Sequence, residues 1–147
     1  MDFKKIIIGI IPVIIGGIIY TIFRNENLVM FKWYKKIGIY DKIKKIRNIE
    51  EIKNIKIPEW IIYCLPDALW LLSMNYIKLI FWKFRINKNS IIWITITTTI
   101  GLYSEIGQYL KVIPGTFDIK DLLILMIASI IPMIFIKNLK TKKYEIN

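Results

Sequence analysis

Apolar positions along the chain gather into four runs, at residues 6–23, 60–82, 91–110 and about 117–136, and charged positions gather between them. The first run holds 18 residues without a charge. At a rise of ~1.5 Å per residue it just crosses a hydrocarbon core of ~30 Å. No small-residue cleavage pattern follows it, so an uncleaved first span is expected rather than a signal peptide. Pro12 should kink it, and Gly16 and Gly17 offer a close-packing surface.

The second run is interrupted by Asp67 and Lys78. Pro66 is well placed to open a helix there, with Asp67 in a first turn whose dipole favours a negative charge. Lys78 lies too far along to pair with Asp67 and is expected to snorkel toward the opposite face. In the third run Thr98, Gly101, Glu105 and Gln108 fall on one stripe at helical spacing. Small and polar residues on an otherwise apolar helix face other helices. Pro114-Gly115 reads as a turn. The fourth run opens with Asp118 or Thr116 as its cap. Its inward stripe is Asp118, Asp121, Leu125, Ala128, Ser129 and Pro132.

Residues 24–59 form a long connector with ten basic and five acidic residues. Met30, Phe31, Tyr34 and Ile37 share one helical face, and Ile39, Ile43 and Ile46 share another after Gly38. The pattern predicts two short amphipathic helices in the headgroup region, with Trp33, Tyr34 and Tyr40 at the boundary. A solvated cap over the bundle is the alternative. The predicted class is therefore all-α, a single domain with four transmembrane helices and an interfacial segment between the first and second.

Composition agrees. Hydrophobic residues make up 55% of the 147, mean hydropathy is +0.47, and soluble domains hold about 45–50% apolar residues. Abundant Ile, Lys and Asn suggest an AT-rich, bacterial genome. The formal charge of +11 fits contact with anionic headgroups, and the long apolar runs argue against nucleic acid. There is no histidine and one cysteine, Cys64. An intrachain disulfide, a Cys/His zinc site and histidine-based catalysis are thereby excluded. No cofactor is expected, and the lack of histidine weighs against an enzyme.

Four antiparallel spans put both tails on one side, and the first and third connectors on the other. Arg24, Asp67, Glu105, Gln108, Asp118 and Asp121 then converge near one membrane face. Ionisable groups in membrane segments are costly unless they face protein or water, which makes them functional candidates. Asp118 has a simple reading as a helix cap, and Asp67 and Asp121 as complements to helix dipoles. Glu105 resists that reading, because it sits at a C-terminal helix end where the dipole disfavours it. Several carboxylates in a partly dry pocket need compensation. Arg24 and Lys120, or a Ca²⁺ or Mg²⁺ ion on the four carboxylates, would provide it.

The Glu105-x-x-Gln108 pair, the turn after it and Asp118 opening a last hydrophobic helix resemble the signature region of VanZ-like membrane proteins. Leu65-Pro66-Asp67-Ala68-Leu69-Trp70 and the P-G-T-F-D run ending at Asp118 resemble a subgroup of small proteins of that kind. Two positions depart from the pattern. Pro114-Gly115-Thr116 stands where the family has an arginine, and Asp121 stands where it has an asparagine. The resemblance implies a multi-pass protein of the bacterial plasma membrane, associated in the namesake with glycopeptide resistance. The expected role is non-enzymatic: binding or handling an envelope lipid or lipid-linked component. The alternatives are a membrane-embedded enzyme using carboxylates, and a packing subunit that has a membrane-protein partner. The basic residues, nine on the side of the tails and twelve on the other, by count alone favour tails outside; the first span with its Lys4-Lys5 flank often dominates, and tails inside are expected.

Overall fold

The computed structural model describes residues 3–113 and 116–144, with side chains up to Ile134 in the last helix. Among them every regular element is helical: α1 Phe3–Phe23, α2 Val29–Lys36, α3 Tyr40–Arg47, α4 Glu50–Lys53, α5 Glu59–Tyr63, α6 Leu65–Phe81, α7 Lys88–Tyr109 and α8 Ile119–Tyr144. The four long helices follow the four apolar runs. Within the described residues, α1 alone is long and apolar enough by length and composition to cross a membrane. Helix α6 has 17 residues and carries Asp67 and Lys78; α7 is rich in Thr and Ser and carries Lys88 and Glu105.

Helix α6 is the centre of the bundle. It packs on α1, α7 and α8, and α7 packs on α8. The α1–α6 seam is close because its residues are small. Gly9 and Gly16, two turns apart, are both buried. A Cβ built on Gly16 would lie 3.1 Å from the Pro66 carbonyl oxygen and 3.3 Å from Trp70 Cδ1, whereas one on Gly17 meets nothing within 4 Å. Of the two glycines expected to pack closely, only Gly16 does. Ser73, 1% exposed, donates its hydroxyl to the Gly9 carbonyl across the same seam. Asn75, fully buried, donates to Thr98 Oγ1 at 3.2 Å on the α7 side. Buried polar groups are stable only when bonded, so these links orient α6 between its neighbours.

The outside of the bundle is apolar. Ile7, Ile11, Ile14 and Ile18 on α1, Trp70 and Met74 on α6, Ile92, Ile96 and Ile100 on α7, and Leu123, Ile127 and Ile130 on α8 are all exposed. A soluble domain rarely presents contiguous apolar surface on this scale.

Several boundaries differ from those expected. Helix α1 starts at Phe3 and runs unbroken through Pro12. The second run is divided into α5 and α6 at Cys64, because Pro66 removes one backbone donor and crowds the residues before it. Helix α6 then starts at Leu65, one residue before Pro66. Lys78 gives one N–H to the Trp93 carbonyl of α7, 3.0 Å away, rather than extending free. The basic turn at residues 83–89 is shorter than expected, since Asn87 and Ser90 form a reciprocal capping box that starts α7 at Lys88. Lys83 and Phe84 take positive φ and fold the Phe84 ring back against Tyr76, 5.6 Å between centroids, and onto the buried Leu79 and Ile94. Pro114 and Gly115, expected as a turn, lie outside the described residues.

The connector forms three short helices, not two. Phe31 of α2 is fully buried, Tyr34 and Ile43 are half-buried, and Ile37, Ile39 and Ile46 are exposed. Helix α3 packs against α1, leaving an apolar groove of about 330 Å³ between Ile14, Ile18, Ile22, Tyr34, Ile43 and Ile46.

Candidate functional site

The ends of the long helices border an open cavity of about 590 Å³ on the side where α1 ends and α6 begins. Arg24, just beyond α1, lines it with Asp67 from the first turn of α6, Glu105 and Gln108 from the last turns of α7, and Asp118 and Asp121 around the start of α8. All six residues singled out in the sequence thus meet at one cavity. Glu59, Trp60 and Tyr63 of α5, Cys64, Thr116 and Lys120 complete its wall. The break at Cys64 brings α5 over the cavity, and α5 touches both α1 and α8.

Arg24 is held in a defined place. Its backbone amide bonds the Tyr20 carbonyl at 3.2 Å, continuing α1 by one residue. Its guanidinium lies 5.0 Å from the Tyr20 ring centroid and 5.2 Å from that of Tyr63, within cation–π range of both. It faces Asp67 at 3.7 Å, a loose ion pair. Its Nε is buried and has no hydrogen-bond partner.

Glu105 is 7% exposed, and its Oε2 is buried without a partner. It therefore faces the bundle and the cavity, not the exposed apolar surface of α7. Gly101, one turn earlier, rests against Leu71 of α6, and Thr98 bonds Asn75, so the predicted stripe is the packed face. Gly107 is needed where α7 ends. A Cβ there would fall 2.6 Å from Ile113 Cδ1, because the chain folds back with Val112 and Ile113 both donating to the Gly107 carbonyl. Asp118 Oδ1 accepts from the Lys120 amide at 2.9 Å and so caps the first turn of α8. Asp121 Oδ1, like Glu105 Oε2, is buried without a partner.

The cavity wall carries five carboxylates (Glu59, Asp67, Glu105, Asp118, Asp121) against two cations (Arg24, Lys120). Among the described residues no three acidic or thiol groups come together closely enough to hold a metal ion. The carboxylates are spread around the wall, and the arrangement suits an organic ligand with separated charges better than a compact ion.

One residue that sequence reasoning passed over fixes Arg24 from behind. Arg47, at the end of α3, donates to the Thr21 carbonyl at 2.7 Å and to the Arg24 carbonyl at 2.9 Å. These are unsatisfied acceptors at the negative end of α1, the place a cation is most favourable. Arg47 also faces Glu26 at 3.5 Å and lies 5.1 Å from the Phe31 ring centroid. The Tyr40 hydroxyl donates to the same Glu26. That bond holds the Glu26 carboxyl below the ordinary carboxylate range, with help from the Arg47 charge against a smaller desolvation cost. It raises Tyr40 above an ordinary phenol, with desolvation adding to the shift. Nothing local in the sequence marks Arg47, since its backbone partners are 26 and 23 positions away.

Compared with known proteins, the chain matches no family model, no curated protein and no solved structure.

Proposed function

We propose that this is a four-span, VanZ-like protein of the bacterial plasma membrane that binds an envelope lipid or lipid-linked component at the polar cavity. The observation that carries the proposal is Glu105: a buried carboxylate with an unpartnered oxygen, on a cavity at the ends of helices whose outer faces are apolar. Leaving a buried acceptor unbonded costs about 1–3 kcal/mol, a cost a bound ligand removes. The apolar outer faces of α6, α7 and α8 support spanning by these helices as well as α1, and the lysine- and tryptophan-bearing connector suits the headgroup layer. The cavity mouth lies at that layer, where a headgroup enters without leaving its acyl chains' environment. The role is binding or handling, and envelope lipids are the partners.

A photoreactive phospholipid in native membranes tests this. Crosslinks should concentrate at residues 60–63 and 116–121, and Thr116→Trp, which puts bulk at the cavity wall, should reduce them. Crosslinks spread evenly along the outer faces and indifferent to Thr116→Trp would remove the reading. The tails belong inside the cell, so cysteine placed at Asn54 should be labelled from outside intact cells and cysteine at Arg85 should not.

A further inference from the structure

Orphan polar atoms of both characters share the cavity: the acceptors Glu105 Oε2 and Asp121 Oδ1, and the donor Arg24 Nε. Glu105 Oε2 is an acceptor without a donor, in a side chain 7% exposed; Arg24 Nε is a buried donor without an acceptor. A ligand that satisfies only one leaves the other unbonded. A bare cation would answer Glu105 and leave Arg24 with its loose 3.7 Å partner Asp67. A purely anionic headgroup would answer Arg24 and bring a negative charge among five carboxylates. A ligand carrying both an acceptor for Arg24 and a donor for Glu105 satisfies both atoms, and a cationic donor also offsets the excess of carboxylates on the wall.

We infer that the cavity selects a zwitterionic headgroup bearing a phosphate and a primary ammonium group, the phosphate on Arg24 and Lys120 and the ammonium on Glu105 and Asp121. The inference rests on the reading of the cavity as a lipid site and adds the chemistry of the headgroup. Of the two cations, Lys120 is exposed in the first turn of α8 and Arg24 is half-buried just past α1. The orphan oxygens of Glu105 and Asp121 are buried. A phosphate joined to its lipid by a glycerol stays near the mouth, and the amine at the far end of the headgroup reaches inward. The orphan oxygens also decide between amines. A primary ammonium donates hydrogen bonds to them, and a quaternary ammonium has no N–H to give. The Tyr63 and Trp60 rings would attract either, so discrimination falls to the two carboxylates.

The cavity volume of about 590 Å³ is within the ordinary range for a small-ligand site, roughly 300–1,000 Å³. It leaves room for the glycerophosphate as well as the amine. The same chemistry is available from a membrane phospholipid and from its water-soluble, deacylated glycerophosphoamine.

The test titrates the full chain, purified in detergent, with short-chain phosphatidylethanolamine, phosphatidylcholine, phosphatidylglycerol and soluble glycerophosphoethanolamine, reading intrinsic tryptophan fluorescence and melting temperature. Phosphatidylethanolamine should bind saturably, about tenfold tighter than the choline and glycerol lipids, the effect of one charge-assisted hydrogen bond. Glu105→Gln should shrink that preference severalfold, lowering ethanolamine-lipid affinity more than choline-lipid affinity, with Asp121 sustaining the remainder. Lys120→Ala, at an exposed position, keeps the test open if Glu105→Gln misfolds: it should weaken ethanolamine and glycerol lipids alike. Equal affinity for the three lipids overturns the headgroup assignment and leaves the lipid reading standing. Binding of the soluble compound as tightly as the lipid keeps the headgroup chemistry and removes the lipid as its source. Binding of none of the four removes both.

Discussion

Gly16→Ala and Gly17→Ala add the same methyl group to adjacent residues of α1 and should have opposite effects. The gain in helix propensity is common to both, up to about 1 kcal/mol. The steric consequence is not. At Gly16 the new Cβ stands 3.1 Å from the Pro66 carbonyl oxygen, 3.3 Å from Trp70 Cδ1 and 3.4 Å from Leu69 Cβ. A backbone carbonyl in the first turn of α6 cannot swing aside as a side chain does, so the seam must open by a few tenths of an ångström along its length. Overpacking of this kind costs roughly 1–3 kcal/mol. At Gly17 the Cβ meets nothing within 4 Å. The difference between the two variants isolates the steric effect and corresponds to a gap of roughly 2–12 °C in melting temperature for a chain near this size. Thermal unfolding in one detergent, followed by circular dichroism and by intrinsic tryptophan fluorescence, measures it. Equal shifts for the two variants would refute the close α1–α6 seam.

Arg47→Lys keeps the charge and loses the planar fork that reaches the Thr21 and Arg24 carbonyls together; we expect about 1–3 kcal/mol of destabilisation and faster hydrogen exchange in α2 and α3. Tyr40→Phe should leave the bundle intact and raise the Glu26 titration toward an ordinary carboxylate, read by carboxyl NMR. Because the Glu26 value is lowered by folding, its contribution is present above the ordinary carboxylate range and is lost as pH falls through the lowered value. The Tyr40 value is raised, so its contribution is present below ordinary phenol titration and is lost as pH rises through the raised value. The α2–α3 connector should therefore loosen at both extremes; in the Tyr40→Phe variant the alkaline loss should vanish and the acid loss should shrink to what the Arg47 charge sustains. Ser73→Ala removes the one donor to the Gly9 carbonyl across the α1–α6 seam, with an expected loss of about 0.5–1.5 kcal/mol by the same melting assay.

The long helices were legible because an apolar run needs no partner to be recognised, and the gathering of Arg24, Asp67, Glu105 and Asp121 at one end follows from antiparallel connectivity. What escaped the sequence depends on distant or reciprocal contacts. Arg47 looks like any other charge in a basic connector until α3 lies beside the end of α1. Ser73 and Asn75 carried a usable signal, two polar residues inside an apolar run, and their burial shows that it was there to be read. The capping box was also available in Asn87-Lys88-Asn89-Ser90, but a stretch of polar residues reads first as a turn. Phe84 in a basic turn gave no hint that positive φ would return its ring to the core.

The central place of α6 has a consequence for the order of assembly. Helices α6, α7 and α8 follow one another in sequence and form their contacts over short loops, whereas α1 reaches α6 only across the intervening connector. Non-local contacts form late, because the ends of a longer loop must first be brought together. The three later helices can therefore associate as a unit, and α1 docks onto them along Gly9 and Gly16 as the closing step. Arg24 enters the cavity with that step, since it rides on the end of α1. Until α1 is seated, the carboxylates of α6, α7 and α8 face an incomplete wall without its arginine. A chain whose α1 is not yet seated therefore has no complete cavity.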